Sequence, residues 1–272
     1  MSASPENSKL AKRVLSAVVL GPVVLVALYM GSPVLELVVT AAAVAMAWEW
    51  DRLCGERRFG LSGWAAVLGL AVAGGAAWSG RYDAAGLALL LATLAAYAAA
   101  AAARRSHPAW ISAAPIVIGV PCAALIWLRS LPMDGFETAL WLIGAVWATD
   151  IAAFAIGRLV GGTRLAPRIS PRKTWAGLLG GVAVAALWGL LFAVWAGAKT
   201  PWLLCVLGAC AAVVAQAGDL GISFVKRRFG AKDASNLIPG HGGVLDRLDG
   251  MLTAAPALVA LVLVSNAGIL AW

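Results

Sequence analysis

Residues 202–222, WLLCVLGACAAVVAQAGDLGI, run directly into residues 223–249, SFVKRRFGAKDASNLIPGHGGVLDRLD. The first stretch is apolar except at Gln216 and Asp219. Its length matches the ~20 residues a helix needs to cross the hydrocarbon core of a membrane. The second stretch reverses the chemistry. It holds five of the chain's 21 Lys and Arg residues, three of its 13 acids and one of its two histidines, so polar chemistry concentrates here. A spanning helix that ends in a polar, glycine-bearing loop is the unit to look for along the rest of the chain.

The composition agrees with that reading. Hydrophobic residues make up 62% of the 272 and charged residues 12%, with a mean hydropathy of +0.87. A soluble domain carries about 25% charged residues. The formal charge of +8 does not point to nucleic acid, because the basic residues fall in loops that flank apolar runs. There they set topology and attract anionic lipid. Cys54, Cys122, Cys205 and Cys210 have no CxxC spacing and read as apolar packing residues.

Apolar runs lie at 14–30, 34–50, 60–79, 84–103, 109–128, 138–157, 175–197, 202–222 and 251–271. Helix is forced, since lipid offers backbone groups no partner. The expected fold is all-α: a polytopic membrane protein of about nine transmembrane helices. A basic flank (Lys9, Lys12, Arg13) precedes the first run, which reads as a retained span. With the N-terminus cytoplasmic, every basic residue except Arg81, Arg129 and Lys199 falls inside, which leaves 18 of 21 on one side. That asymmetry is the positive-inside signal, and it puts the C-terminus outside. Trp78, Trp110, Trp175, Trp202 and Trp272 fall near predicted ends, as interfacial tryptophans do. The chain divides into an N-terminal region, 1–137 with spans one to five, and a C-terminal region, 138–272 with spans six to nine. The second carries the two long inside loops, 158–174 and 223–249. A site built from loops therefore faces the cytoplasm.

Several groups of residues in that region are suited to chemistry. A carboxylate inside a span, such as Asp150 or Asp219, is costly unless paired or bound to a cation. At 100° per residue, Gln216, Asp219, Ser223, Lys226 and Arg227 share one helix face. Asp219 could instead simply pair with Lys226 or Arg227. Pro239-Gly240-His241-Gly242-Gly243 permits close backbone approach, and its N–H groups suit an anion-binding nest; a flexible turn is the alternative. His241 and Arg247 could each hold a phosphate. Asp246 and Asp249, at i and i+3, face one side, and Asp219 with Asp246 could share a metal. Ser170, Arg172, Lys173 and Thr174 cluster before span seven, where a helix start suits an anion; topogenic charge is the bland alternative. A P-loop, a dinucleotide fingerprint, a nucleophile elbow and an HExxH pair are all lacking.

These residues resemble the signature of the phosphatidate cytidylyltransferase (CDP-diacylglycerol synthase) family. The elements are Ser223-x-x-Lys226-Arg227, Lys232-Asp233, Pro239-Gly240-His241-Gly242-Gly243 and Asp246-Arg247-x-Asp249. Gln216-x-Gly218-Asp219 fits upstream, as do Asp150, Gly157-Arg158, Ser170-Pro171 and Lys173-Thr174-Trp175. Ile222 stands where many members carry an acid. The resemblance covers the C-terminal half.

It implies that CTP and phosphatidate give CDP-diacylglycerol and pyrophosphate, with Mg²⁺, alone or with a second cation. Asp219, Asp246 and Lys226 are the expected catalytic residues, and Asp219, Asp246 and Asp249 the expected metal ligands. Ser170, Lys173, Ser223, Arg227, Lys232, His241, Gly242, Gly243 and Arg247 are the expected substrate-binding residues. A bacterial inner membrane is the expected location, and a homodimer is compatible with it. A CTP-dependent polyprenol kinase and an anion transporter are the alternatives.

Overall fold

The computed structural model describes residues 5–55, 58–238 and 242–272, with side chains from residue 18 onward. His241, with Pro239 and Gly240, lies outside the described residues.

The protein is mostly helical. In chain order the elements are α1 (Pro5–Met30), α2 (Val34–Cys54), α3 (Leu61–Trp78), α4 (Tyr82–Ala102), α5 (Pro108–Ser112), α6 (Ala114–Arg129) and α7 (Gly135–Val160). A hairpin of β1 (Arg164–Ala166) and β2 (Ser170–Thr174) follows. Then come α8 (Trp175–Ala196), α9 (Pro201–Arg228), α10 (Leu245–Leu248), α11 (Met251–Ser265) and a 3₁₀ turn at Ile269–Ala271. Among the described residues six helices are long and apolar enough to cross a membrane: α3, α4, α5 with α6, α7, α8 and α9. This is an all-α, polytopic membrane architecture. The other three predicted spans are also helical. Val18–Met30 of α1 and Met251–Ser265 are shorter apolar helices, and α2 carries Glu36, Glu49, Asp51 and Arg52 among its apolar residues.

Three local features depart from the expected spans. The fifth breaks at Ala113, because Pro115 has no N–H to give the carbonyl of Ile111. The eighth does not stop at residue 222 but continues to Arg228. The ninth ends at Ser265, where Asn266 turns left-handed with φ 50°.

The chain packs as two units, one of residues 1–126 with 229–248 and one of residues 127–228 with 249–272. Residues 229–248, which sequence alone assigns to the C-terminal region, pack with the N-terminal helices.

In the first unit Asp51 is a buried hub. It accepts Ser62 Oγ at 2.7 Å and Gly60 N at 3.2 Å, and pairs with Arg105 Nη2 at 3.4 Å. These contacts fix the start of α3. Trp50 Nε1 donates to the Trp110 carbonyl at 2.7 Å, and Phe229 packs edge-on to His107 and Trp110.

In the second unit α8 lies against α7 and α9 through small residues. A Cβ at Gly189 would meet the Leu204 carbonyl, and one at Gly208 the Ala185 carbonyl. Such close approach is how helices associate where no hydrophobic force separates them from lipid. At one end of this unit the C-terminus is held by its neighbours. Lys199 N and Thr200 N donate to Leu270 O and Trp272 O, and the buried Asp134 accepts Leu270 N at 3.0 Å. The start of α7, the α8–α9 turn and the C-terminus therefore share one end. The hairpin and the polar end of α9 lie at the other.

Candidate active site

The polar face of α9 forms because lipid fixes the helix and its period stacks residues three and four apart. Ser223 Oγ donates to Asp219 Oδ1 at 3.2 Å, four residues back. Asp219 lies nine residues before the end of α9, about 14 Å inside it at 1.5 Å per residue. At that depth its charge needs a partner. Lys173 supplies it, with Nζ 2.6 Å from Asp219 Oδ2 and 3.0 Å from Gln216 Oε1. Gln216 passes the contact on, its Nε2 donating to Asp150 Oδ1 at 3.4 Å.

The hairpin delivers Lys173. Arg164 pairs with Thr174 and Ala166 with Ser170 in an antiparallel register, and Trp175 N donates to Thr163 O. Thr174 then caps α8, its hydroxyl accepting Gly177 N at 3.1 Å. The stretch read as a loop is thus a short β-ribbon that fixes its lysine. Arg227 Nε donates to the Ile169 carbonyl between the strands at 3.1 Å, and Ser170 opens β2.

Asp249 completes this cluster. It is buried, with Oδ1 accepting its neighbour's N–H, Gly250 N, at 2.9 Å. Gly218 lets α9 approach it, because a Cβ there would fall against the Asp249 carbonyl and Thr253. Burial, then the charges of Asp219 and Asp150, pushes the Asp249 carboxyl well above the usual carboxylate range; Lys226 and Lys173 oppose the shift. Lys226 is itself buried, at 7% exposure. Asp150 departs from expectation. It is exposed rather than buried, although it lies ten residues, or about 15 Å, before the end of α7. The second unit therefore brings together Asp150, Lys173, Gln216, Asp219, Ser223, Lys226 and Asp249.

The signature turn belongs to the first unit. Gly242 has φ 84°, and its open side faces Asp246 Oδ2. That oxygen accepts the N–H groups of Gly243 and Ala234, both at 2.9 Å. Glu49 of α2 accepts the next two, Val244 N on Oε1 at 2.9 Å and Leu245 N on Oε2 at 2.7 Å. Most of the turn expected to form an anion nest lies outside the described residues, and the N–H groups of Gly243 through Leu245 are taken by the protein's own carboxylates. Lys232 and Arg247 are exposed.

A family model described as the cytidylyltransferase family matches residues 11–265. The chain belongs to the cytidylyltransferase family. It is 41% identical over 258 residues to a protein of Brucella suis named phosphatidate cytidylyltransferase, which covers 92% of each chain. Proteins of the same name from Pseudomonas aeruginosa and Haemophilus influenzae are 34% and 33% identical. They cover 93% and 91% of this chain and 97% and 96% of their own.

Glu49 and Asp51 are missing from the site expected of this cytidylyltransferase-family chain, although their signal is in the sequence. Glu49 is an acid inside the 34–50 apolar run, which carries the same cost that marks Asp150 and Asp219, and Asp51 follows directly after that run. Both are buried and engaged, Glu49 with backbone and hydroxyl donors and Asp51 with these and Arg105.

Among the described residues no group of three or more His, Cys, Asp or Glu is placed to hold a metal ion. Mg²⁺ does not require one, since it takes one or two carboxylates with waters and substrate phosphates. Asp219 and Asp249 are hard-oxygen donors whose charges repel across the cluster, and Lys173 already offers Asp219 a cation. That donor set fits a divalent ion.

Proposed function

We propose that this protein transfers the cytidylyl group of CTP to phosphatidate, giving CDP-diacylglycerol and pyrophosphate. The observation that carries the reading is the cluster of Lys173, Gln216, Asp219, Lys226 and Asp249 at the polar ends of membrane-spanning helices. It is supported by the family and by the names of the relatives. A membrane lipid and a soluble nucleotide can both reach such a place.

A phosphate oxygen of phosphatidate attacks the α-phosphorus of CTP, and the bond from that phosphorus to the bridging oxygen of the β-phosphate breaks. The attacking oxygen is already anionic at neutral pH, so no strong base is needed. What the site must supply is charge neutralisation between two polyanions. Lys173, Lys226 and Arg227 hold phosphates, with Ser170 and Ser223 as hydroxyl partners. Asp219 and Asp249 would hold Mg²⁺, alone or with a second cation. Bound metal supplies Lewis-acid stabilisation of the leaving pyrophosphate. Lys232, His241, Arg247 and the Gly242-Gly243 turn form a second group of phosphate-binding residues.

The same proposal places the protein in a bacterial inner membrane and is compatible with a homodimer. The chain has nine spans, a cytoplasmic N-terminus, an outside C-terminus and the site facing the cytoplasm. Support comes from the 18 of 21 basic residues on one side. The shared end of Lys199, Thr200 and the C-terminus agrees with it.

The test uses purified protein, phosphatidate, Mg²⁺ and CTP labelled at the α or the γ phosphate. Label from the α position alone in extracted lipid, with pyrophosphate in the water, is the expected result. Label in lipid from neither position rejects the reading.

A further inference from the structure

We propose that Glu49, on α2, is a positioning residue for the nucleotide, acting through the signature turn. The inference rests on reading the protein as a CTP-dependent transferase. Glu49 has no exposed surface, so it cannot touch substrate. A carboxylate so placed in an apolar helix is retained only if its desolvation is offset by strong donors. Among the described residues, its donors come from one segment. Ser235 Oγ donates at 2.5 Å, Val244 N at 2.9 Å and Leu245 N at 2.7 Å.

Two further observations tie Glu49 to the signature itself. A Cβ at Gly243 would fall onto the Glu49 carboxylate, so it is the close approach of Glu49 that requires glycine at 243. Gly243 N in turn donates to Asp246, whose Oδ2 also takes Ala234 N. Glu49 and Asp246 thus hold consecutive amides of one turn. If Glu49 lets go, the turn that sets Asp246 and Arg247 loses its hold on Val244 N and Leu245 N. Glu49 reaches the reaction through those two residues and not by contact.

The experiment compares full-length wild-type and variant proteins by equilibrium CTP binding, by KM for CTP and for phosphatidate, and by thermal melting. Glu49→Gln replaces one acceptor oxygen with an NH₂ that faces an amide N–H. Kd and KM for CTP should rise about tenfold or more, with KM for phosphatidate within about twofold of wild type. Gly243→Ala should do the same. The double variant should be no worse than the weaker single, because both break one contact. If Glu49→Gln does not fold, Ser235→Ala removes one donor and should raise Kd for CTP about two- to fivefold. Unchanged CTP affinity in a folded Glu49→Gln or Ser235→Ala protein overturns the proposal, as does additivity with Gly243→Ala. So does a lower melting temperature with normal CTP binding, which a purely structural role would give. A wild-type protein that binds CTP yet transfers nothing refutes the transferase reading, and the binding comparison still decides the role of Glu49.

Discussion

Replacing Lys173 with methionine keeps most of the apolar stem of the side chain and removes its charged end. In the wild type its ammonium bridges Asp219 Oδ2 at 2.6 Å and Gln216 Oε1 at 3.0 Å, with the two charged side chains 18% and 25% exposed. At an effective dielectric of about 20, a contact pair gains roughly 4 kcal/mol of gross Coulomb energy, much of which desolvation has already spent. Its loss costs a net ~1 kcal/mol, and leaving the buried Gln216 oxygen without its donor costs about 1–2 kcal/mol more. The expected loss of stability is about 2–3 kcal/mol, or a melting temperature lower by about 4–12 °C. The effect on transfer should be larger. If Lys173 is a preorganised cation for the phosphates, kcat falls about 10²–10³-fold, the cost of removing one such donor. The assay is kcat and kcat/KM for α-labelled CTP, run well below both melting transitions. A Lys173→Met protein that melts early but keeps kcat within about threefold of wild type would show that the lysine only balances charge.

Asp249→Asn should move stability and activity in opposite directions. The raised carboxyl of Asp249 favours the folded state below its ordinary value near 3.8, and that contribution is lost as the pH rises through its folded value. At neutral pH without Mg²⁺ the asparagine variant should therefore melt higher than wild type and lose the wild type's decline with rising pH, while transfer falls about 10³-fold. A variant no more stable than wild type across that range would refute the electrostatic account. Asp134→Ala at the other end of the unit strips Leu270 N of its acceptor. It should cost about 1–3 kcal/mol in melting experiments and leave kcat unchanged; a lost kcat would tie that end to the reaction.

How much of this was readable in the sequence depends on the range of each contact. The α9 face was legible because lipid forces a helix, and a helix fixes which of Gln216, Asp219, Ser223 and Lys226 stand together. Lys173 was legible as a residue but not as a placement. The strands of its hairpin are only three and five residues long, with Pro167 directly after the first and Pro171 inside the second, so no alternation announces them. Hydropathy puts Asp150 in a span without saying which side of the helix it takes, and the side it takes is open. The signature turn shows the limit most clearly. Its glycines say that several N–H groups converge and need an anion. They do not say whether that anion is a ligand or a side chain, because the answer lies up to 196 residues away in Glu49. Only the cost of an acid in α2 hints at it. A buried carboxylate and a glycine turn with N–H groups to satisfy are two halves of one contact. The N-terminal helices therefore contribute more than anchorage, since they supply the charge around which the signature turn is built.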